Sequence, residues 1–130
     1  VQLHAALARR QIKVNGHTLN LSTQQHLLLL FLADNAKRGV PPPGKFSNAI
    51  EPFREYAARL RQQCVHEDGN DWRDEAIVQP GDDDQPLRKT LNELKNRLRE
   101  AGPDLAVLVP LLPEKGRFTL DLPPASITLL

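Results

Sequence analysis

The chain has 130 residues, 40% hydrophobic and 25% charged, an ordinary globular balance with room for a single compact core. With 17 Lys and Arg against 16 Asp and Glu, the net charge of +1 excludes a chain-wide attraction to phosphate backbones or anionic membranes, so any basic surface has to be local. The single cysteine, Cys64, excludes an internal disulfide and a cysteine-based zinc cluster, and the longest apolar run, "LLLLFLA" from Leu27, falls far short of the roughly 20 residues that span a bilayer.

No signal-peptide pattern stands at the N-terminus, so the expectation is a cytoplasmic domain with no membrane contact. The chain starts at Val1 and contains no methionine, which leads us to expect a fragment of a longer protein whose missing N-terminal part could carry an enzymatic domain.

The first local signal is "RQIKVNGHTLNL". Ile12 and Val14 alternate with polar residues before Asn15-Gly16, and Leu19 and Leu21 do so after it, which predicts a strand hairpin closed by a tight turn. Ser22 with Gln25 three residues on has capping-box spacing, each side chain satisfying an orphan amide of a first helical turn. The helix it opens is expected to run to about Arg38, with Lys37 and Arg38 at its negative end and Gly39 in the left-handed position beyond it. "VPPPG" cannot continue a helix and reads as a rigid connector.

A second helix fits "SNAIEPFREYAARLRQQC", with Ile50, Phe53, Tyr56, Ala57, Leu60 and Cys64 on one face; Pro52 is tolerable only in the first turn. Residues 65–83 are polar and acidic and predict a long mobile loop anchored by Trp72 or by Ala76-Ile77-Val78. The third helix opens at Asp83 or Asp84 with Pro86 near its first position. Leu87, Leu91, Leu94 and Leu98 recur at helical spacing, and Gly102-Pro103 ends the pattern. "AVLVPLLPEKGRFTLDLP" predicts two strands around a Pro113–Gly116 turn, with Pro110 at an edge or bulge, and "PPASITLL" predicts a final short strand or a segment reaching a partner.

The expected fold is therefore α+β, a single domain over residues 1–130: N-terminal strand hairpin, three helices, C-terminal β-hairpin. This order, with "VNGHTLNLSTQQHLLLLFLADN" as strand, turn and first helix and "LNELKNRLREAG…GRFTLDLP" as third helix and wing, resembles the OmpR-like branch of winged helix-turn-helix domains over nearly the whole chain. A narrower resemblance, carried by "FREYAARL", the "LN" of helix three and "GRFTLDLPPASI", is to the C-terminal winged-helix extension of CRISPR-associated proteins whose N-terminal part is a sensor or ring nuclease for cyclic oligoadenylate. These resemblances imply a DNA-binding module, in antiviral defense for the narrower one. One departure stands out: a helix-turn-helix joins its second and third helices through about 3–4 residues, whereas about 20 intervene here.

With the leucines inward, Arg88, Lys89, Asn92, Lys95, Asn96 and Arg99 are expected to project outward from helix three, and Lys115 and Arg117 flank the wing turn. Arg and Lys neutralise phosphates, and Arg and Asn pair with base edges, so these are the candidate nucleic-acid-binding residues, with double-stranded DNA as the partner. The plainer alternative is a solvated charged face with pairs such as Glu93–Arg97. Against DNA stands the stretch from Glu67 to Asp84, whose eight carboxylates (Glu67, Asp68, Asp71, Asp74, Glu75, Asp82, Asp83, Asp84) face one Arg73 and would repel a phosphate backbone beside helix three.

No catalytic array, phosphate-cradling loop or cofactor motif can be placed, and no cofactor is expected. Of the four histidines only His66, in His66-Glu67-Asp68, has carboxylates at metal-ligand spacing, and that is too small a set, so no metal is expected either. The rival function is a winged-helix interaction or dimerisation module, docking on an upstream sensor domain or a homodimer partner through "SITLL" or the Phe53/Tyr56 face.

Overall fold

In the computed structural model, which describes residues 1–6, 11–39, 46–63, 85–114 and 118–129, Asn15 and Gly16 both take positive φ (51° and 83°). That pair of values is what a two-residue turn needs if its twist is to match that of the strands it joins. It connects β2 (Gln11–Val14) to β3 (His17–Thr18), with Val14 opposite His17 and Lys13 opposite Thr18. The predicted hairpin is present, although β3 is only two residues long; Leu19 continues it with one bond from its N–H to the Ile12 carbonyl at 2.9 Å.

An additional strand, β1 (Leu3–Ala6), pairs antiparallel with β2, and Asn15 clamps its start by donating its N–H to the Gln2 carbonyl and accepting from the Gln2 N–H through Oδ1, both at 2.8 Å. The last strand, β4 (Ile127–Leu129), lies parallel to β1 with Ile127 opposite Leu3, so the sheet order is β3-β2-β1-β4.

The first helix, α1 (Thr23–Arg38), forms as its caps dictate. Gln25 N–H donates to Ser22 Oγ and Ser22 N–H donates to Gln25 Oε1, each at 3.2 Å, and Gly39 closes the C-terminus at φ 69°. Eight consecutive residues, His26–Ala33, are buried, a helix apolar all round and therefore central. It packs against α2 (Ile50–Gln63), α3 (Gln85–Glu100) and β4.

A 3-10 turn over Phe46–Ala49 leads into α2, whose inward face carries Phe53, Tyr56, Ala57 and Leu60, with Ile50 half-buried. The predicted leucine face of α3 is buried in full, with Thr90 beside it. Phe31 of α1 gathers Phe53 (5.2 Å, edge to face), Tyr56 (5.5 Å) and Phe118 (6.3 Å), and Phe118 also meets Phe46 at 4.9 Å. Such ring pairs contribute about 0.5–1.5 kcal/mol each beyond the area they bury.

The expected C-terminal hairpin is corrected by the structure. After Gly102, Pro103–Ala106 forms a short helix, α4, and Val109–Leu111 a 3-10 turn, where the first of the two strands was predicted from Ala106. The reason is the period of burial. Leu105, Leu108 and Leu112 are buried at intervals of three and four, while Val107 is 41% exposed, which is helical spacing and not alternation. Pro110 reinforces it, because it has no N–H for a ladder and its fixed φ suits the first turn of a helix.

The return segment is extended, with Phe118, Leu120 and Leu122 buried around half-buried Thr119 and exposed Asp121. Among the described residues it is joined to the outgoing segment by the backbone bond from Asp121 N–H to the Leu111 carbonyl at 2.8 Å. The turn tip, including Lys115 and Arg117, lies outside the described residues. So do the proline connector, Cys64 and the acidic segment with its Trp72 and Asp83/Asp84 cap.

The observed fold is thus α+β, with four α-helices and a four-stranded mixed sheet around one core among the described residues. No described helix is long and apolar enough to cross a membrane.

Candidate nucleic-acid interface

Burial of Leu87, Leu91, Leu94 and Leu98 sets the rotation of α3, and the rest of its surface follows from about 100° per residue. Taking Leu87 as zero, Lys95, Arg88, Arg99 and Asn92 fall at about 80°, 100°, 120° and 140°. Asn96 lies on the outermost ridge at about 180°, Lys89, Glu100 and Glu93 at about 200–240°, and Arg97 at about 280°. One flank therefore carries three cations and an amide with none of the helix's own carboxylates. The other mixes Lys89 and Arg97 with Glu93 and Glu100.

The neighbours of these side chains agree with the division. Arg88 is exposed, and its guanidinium lies 4.3 Å from the centre of the Phe46 ring, a stacking that attracts a cation to the ring face and restricts its rotamers. Lys95 is half-buried, its aliphatic stem covering apolar surface. Arg99 is exposed and donates from Nη1 to Asn96 Oδ1 at 3.0 Å, while Asn92 is exposed.

On the opposite flank, exposed Lys89 shares an open cleft with Glu93, Thr90, Pro86, Gln85 and, from α1, Gln24. The one-sided grouping of all six α3 candidates is thus divided: the structure brings Arg88, Asn92, Lys95 and Arg99 together and sets Lys89 beside a glutamate.

The pair named as a plain alternative, Glu93–Arg97, gives way to a different contact. Arg97 Nε donates to the Asn20 carbonyl at 2.9 Å, tying α3 to the chain that enters α1. This bond borders a second open cleft of about 450 Å³ lined by Thr18–Leu21 and by Arg97, Leu98, Glu100, Ala101 and Leu105. Neither feature was anticipated from sequence. The position of Arg97 at the edge of the leucine face was the available signal, since a long side chain there can reach the neighbouring element while remaining exposed.

The apolar side chains at the centre of the surfaces offered for protein docking are buried within the domain. Phe53 and Tyr56 are 1% and 6% exposed among the core rings, and Ile127 is 1% exposed in β4. Among the described residues only Val1 and Val107 are large apolar side chains exposed to solvent, too few for an apolar patch. Every described aromatic ring (Phe31, Phe46, Phe53, Tyr56 and Phe118) is buried. Among the described residues no group of three or more His, Cys, Asp and Glu converges as a metal site.

A scan against models of protein families and searches of curated proteins and of solved structures return no match.

Proposed function

We propose that this chain is a winged-helix-type nucleic-acid-binding module with the solvent face of α3 as its contact surface. The observation that carries the proposal is the flank Arg88, Lys95 and Arg99, which holds none of α3's own carboxylates, on a helix seated by its buried leucine face, in a domain whose described surface offers no apolar patch in its place. The order sheet, α1, α2, α3 supports the winged-helix assignment, as does the seating of α3 against α1. The resemblances in the sequence suggest a regulatory or CRISPR-associated protein as the setting.

Catalysis is assigned no part in this function. Of the surfaces offered for the alternative, an interaction module, Phe53 and Tyr56 are buried in the core, and Ile127 of "SITLL" is buried in the edge strand β4.

The test is fluorescence anisotropy of a labelled DNA duplex at 50 and 200 mM salt, with the parent chain and a Lys89→Ala/Lys95→Ala/Arg99→Ala variant, using circular dichroism to show that both are folded. The parent is expected to bind more weakly as salt rises, because each neutralised phosphate releases counterions, and the variant is expected to lose most binding. Absence of binding by the folded parent at low salt would reject the function.

A further inference from the structure

The division of α3 into two flanks goes further than a basic helix, and on the reading just proposed it specifies what is bound and how. We infer that the domain grips the sugar-phosphate backbone of duplex DNA along the Arg88–Lys95–Arg99 flank, without sequence preference, and that Lys89 takes no part. The inference rests on the proposed function and refines it.

The lateral position of the cations comes first. Arg88 and Arg99 are separated by 11 residues, which at 1.5 Å each places the charges along about 16 Å of one helix flank, at about 80–120° from the core-facing line. Charges on the side of a helix meet the wall of a groove, where the phosphates are, while the outermost ridge meets its floor. The ridge here holds Asn96, with Glu100, Lys89 and Glu93 just beyond it, and two carboxylates there oppose entry toward the electronegative floor.

Two further groups able to read bases, Arg97 and Asn96, are engaged within the domain. Arg97 is turned to the Asn20 carbonyl, and the Asn96 amide oxygen accepts from Arg99, leaving Asn92 as the remaining amide on the cationic side. Base discrimination depends on bidentate pairs made by such groups, whereas phosphate contacts carry no sequence information. The stack of Arg88 on Phe46 and the half-burial of the Lys95 stem hold two of the three cations close to the surface. Preorganised charge of this kind suits a regular backbone.

The form of nucleic acid follows from size and from what the described surface offers. Binding single strands uses aromatic platforms on which bases stack, and every described aromatic ring is buried. An α-helix about 10–12 Å across fits beside the walls of the B-form major groove, about 12 Å wide, but not in the narrow major groove of an A-form RNA duplex.

The experiment titrates salt against affinity for two 20-base-pair DNA duplexes of unrelated sequence, the corresponding single strand and an RNA duplex, using the full chain and two variants, Lys95→Gln/Arg99→Gln and Lys89→Gln. The two DNA duplexes should bind within about threefold of each other, well inside the discrimination of even one good base contact. The parent log–log slope should be about −2.7 for three phosphates; the double variant should flatten it by about 1.8, and Lys89→Gln should leave it unchanged.

A preference above tenfold between the DNA sequences, tighter binding of the single strand or of RNA, or an equal loss with Lys89→Gln overturns the inference while leaving a nucleic-acid function standing. A folded parent that binds none of the four probes overturns the function and the inference together.

Discussion

Replacing Leu94 by Ala probes the rotation of α3, on which every assignment to its flanks depends. Leu94 is fully buried in the stripe that includes Leu87, Leu91 and Leu98, on a helix packed against α1. The substitution removes three carbons, which at about 0.8 kcal/mol per buried methylene costs about 2.4 kcal/mol. A residual void of roughly 50 Å³ adds about 1.2 kcal/mol, because the buried neighbours relax only in part. The expected loss of about 3.5 kcal/mol is a large share of the 5–15 kcal/mol that stabilises an ordinary domain. Urea unfolding followed by circular dichroism at 222 nm measures it as a lower midpoint with unchanged slope. A loss below about 1 kcal/mol, the scale of a typical substitution, would show that the helix is not seated on this stripe. Arg88, Lys95 and Arg99 would then not share a flank.

Three further substitutions test the local devices and the sheet. Ser22→Ala removes the hydroxyl that accepts from the Gln25 N–H, leaving the Ser22-position N–H to Gln25 Oε1 bond possible, and should cost about 1 kcal/mol, measured by thermal unfolding; an unchanged midpoint would show that the side-chain cap contributes nothing. Gly39→Ala should cost about 1–2 kcal/mol through backbone strain alone, since a Cβ there meets nothing within 4 Å; a neutral result in urea unfolding would refute the left-handed cap. Ile127→Ala should cost about 2–5 kcal/mol if β4 is integral to the sheet, and a chevron or equilibrium unfolding curve that barely moves would mark β4 as peripheral.

Local chemistry was enough for several elements. The Asn15-Gly16 turn, the Ser22/Gln25 box, the Gly39 cap and the leucine stripe of α3 are each decided within a few residues, because a tight turn or a helix end is satisfied by its own neighbours and a helix repeats its face every 3.6 residues. The candidate cations of α3 were legible for the same reason. β1 was not: its alternation rests on Leu3 and Ala5, too brief and too poor in β-formers to register, and it becomes a strand because β2 and β4 supply partners on both edges.

The parallel pairing of β4 with β1 joins residues more than 120 positions apart, and no local pattern carries it. The segment after α3 misled because Val107, Val109 and Leu111 recur at every second position like one face of a strand; what decides is that Leu105, Leu108 and Leu112 have a core to meet only if the chain coils. The division of the cationic surface was likewise settled in three dimensions. Which side of α3 faces Gln24 and Asn20 of the α1 entry, and which faces Phe46, depends on how the helix is seated against its neighbours, and that seating places Lys89 beside Glu93 in a cleft and Arg88 on an aromatic ring.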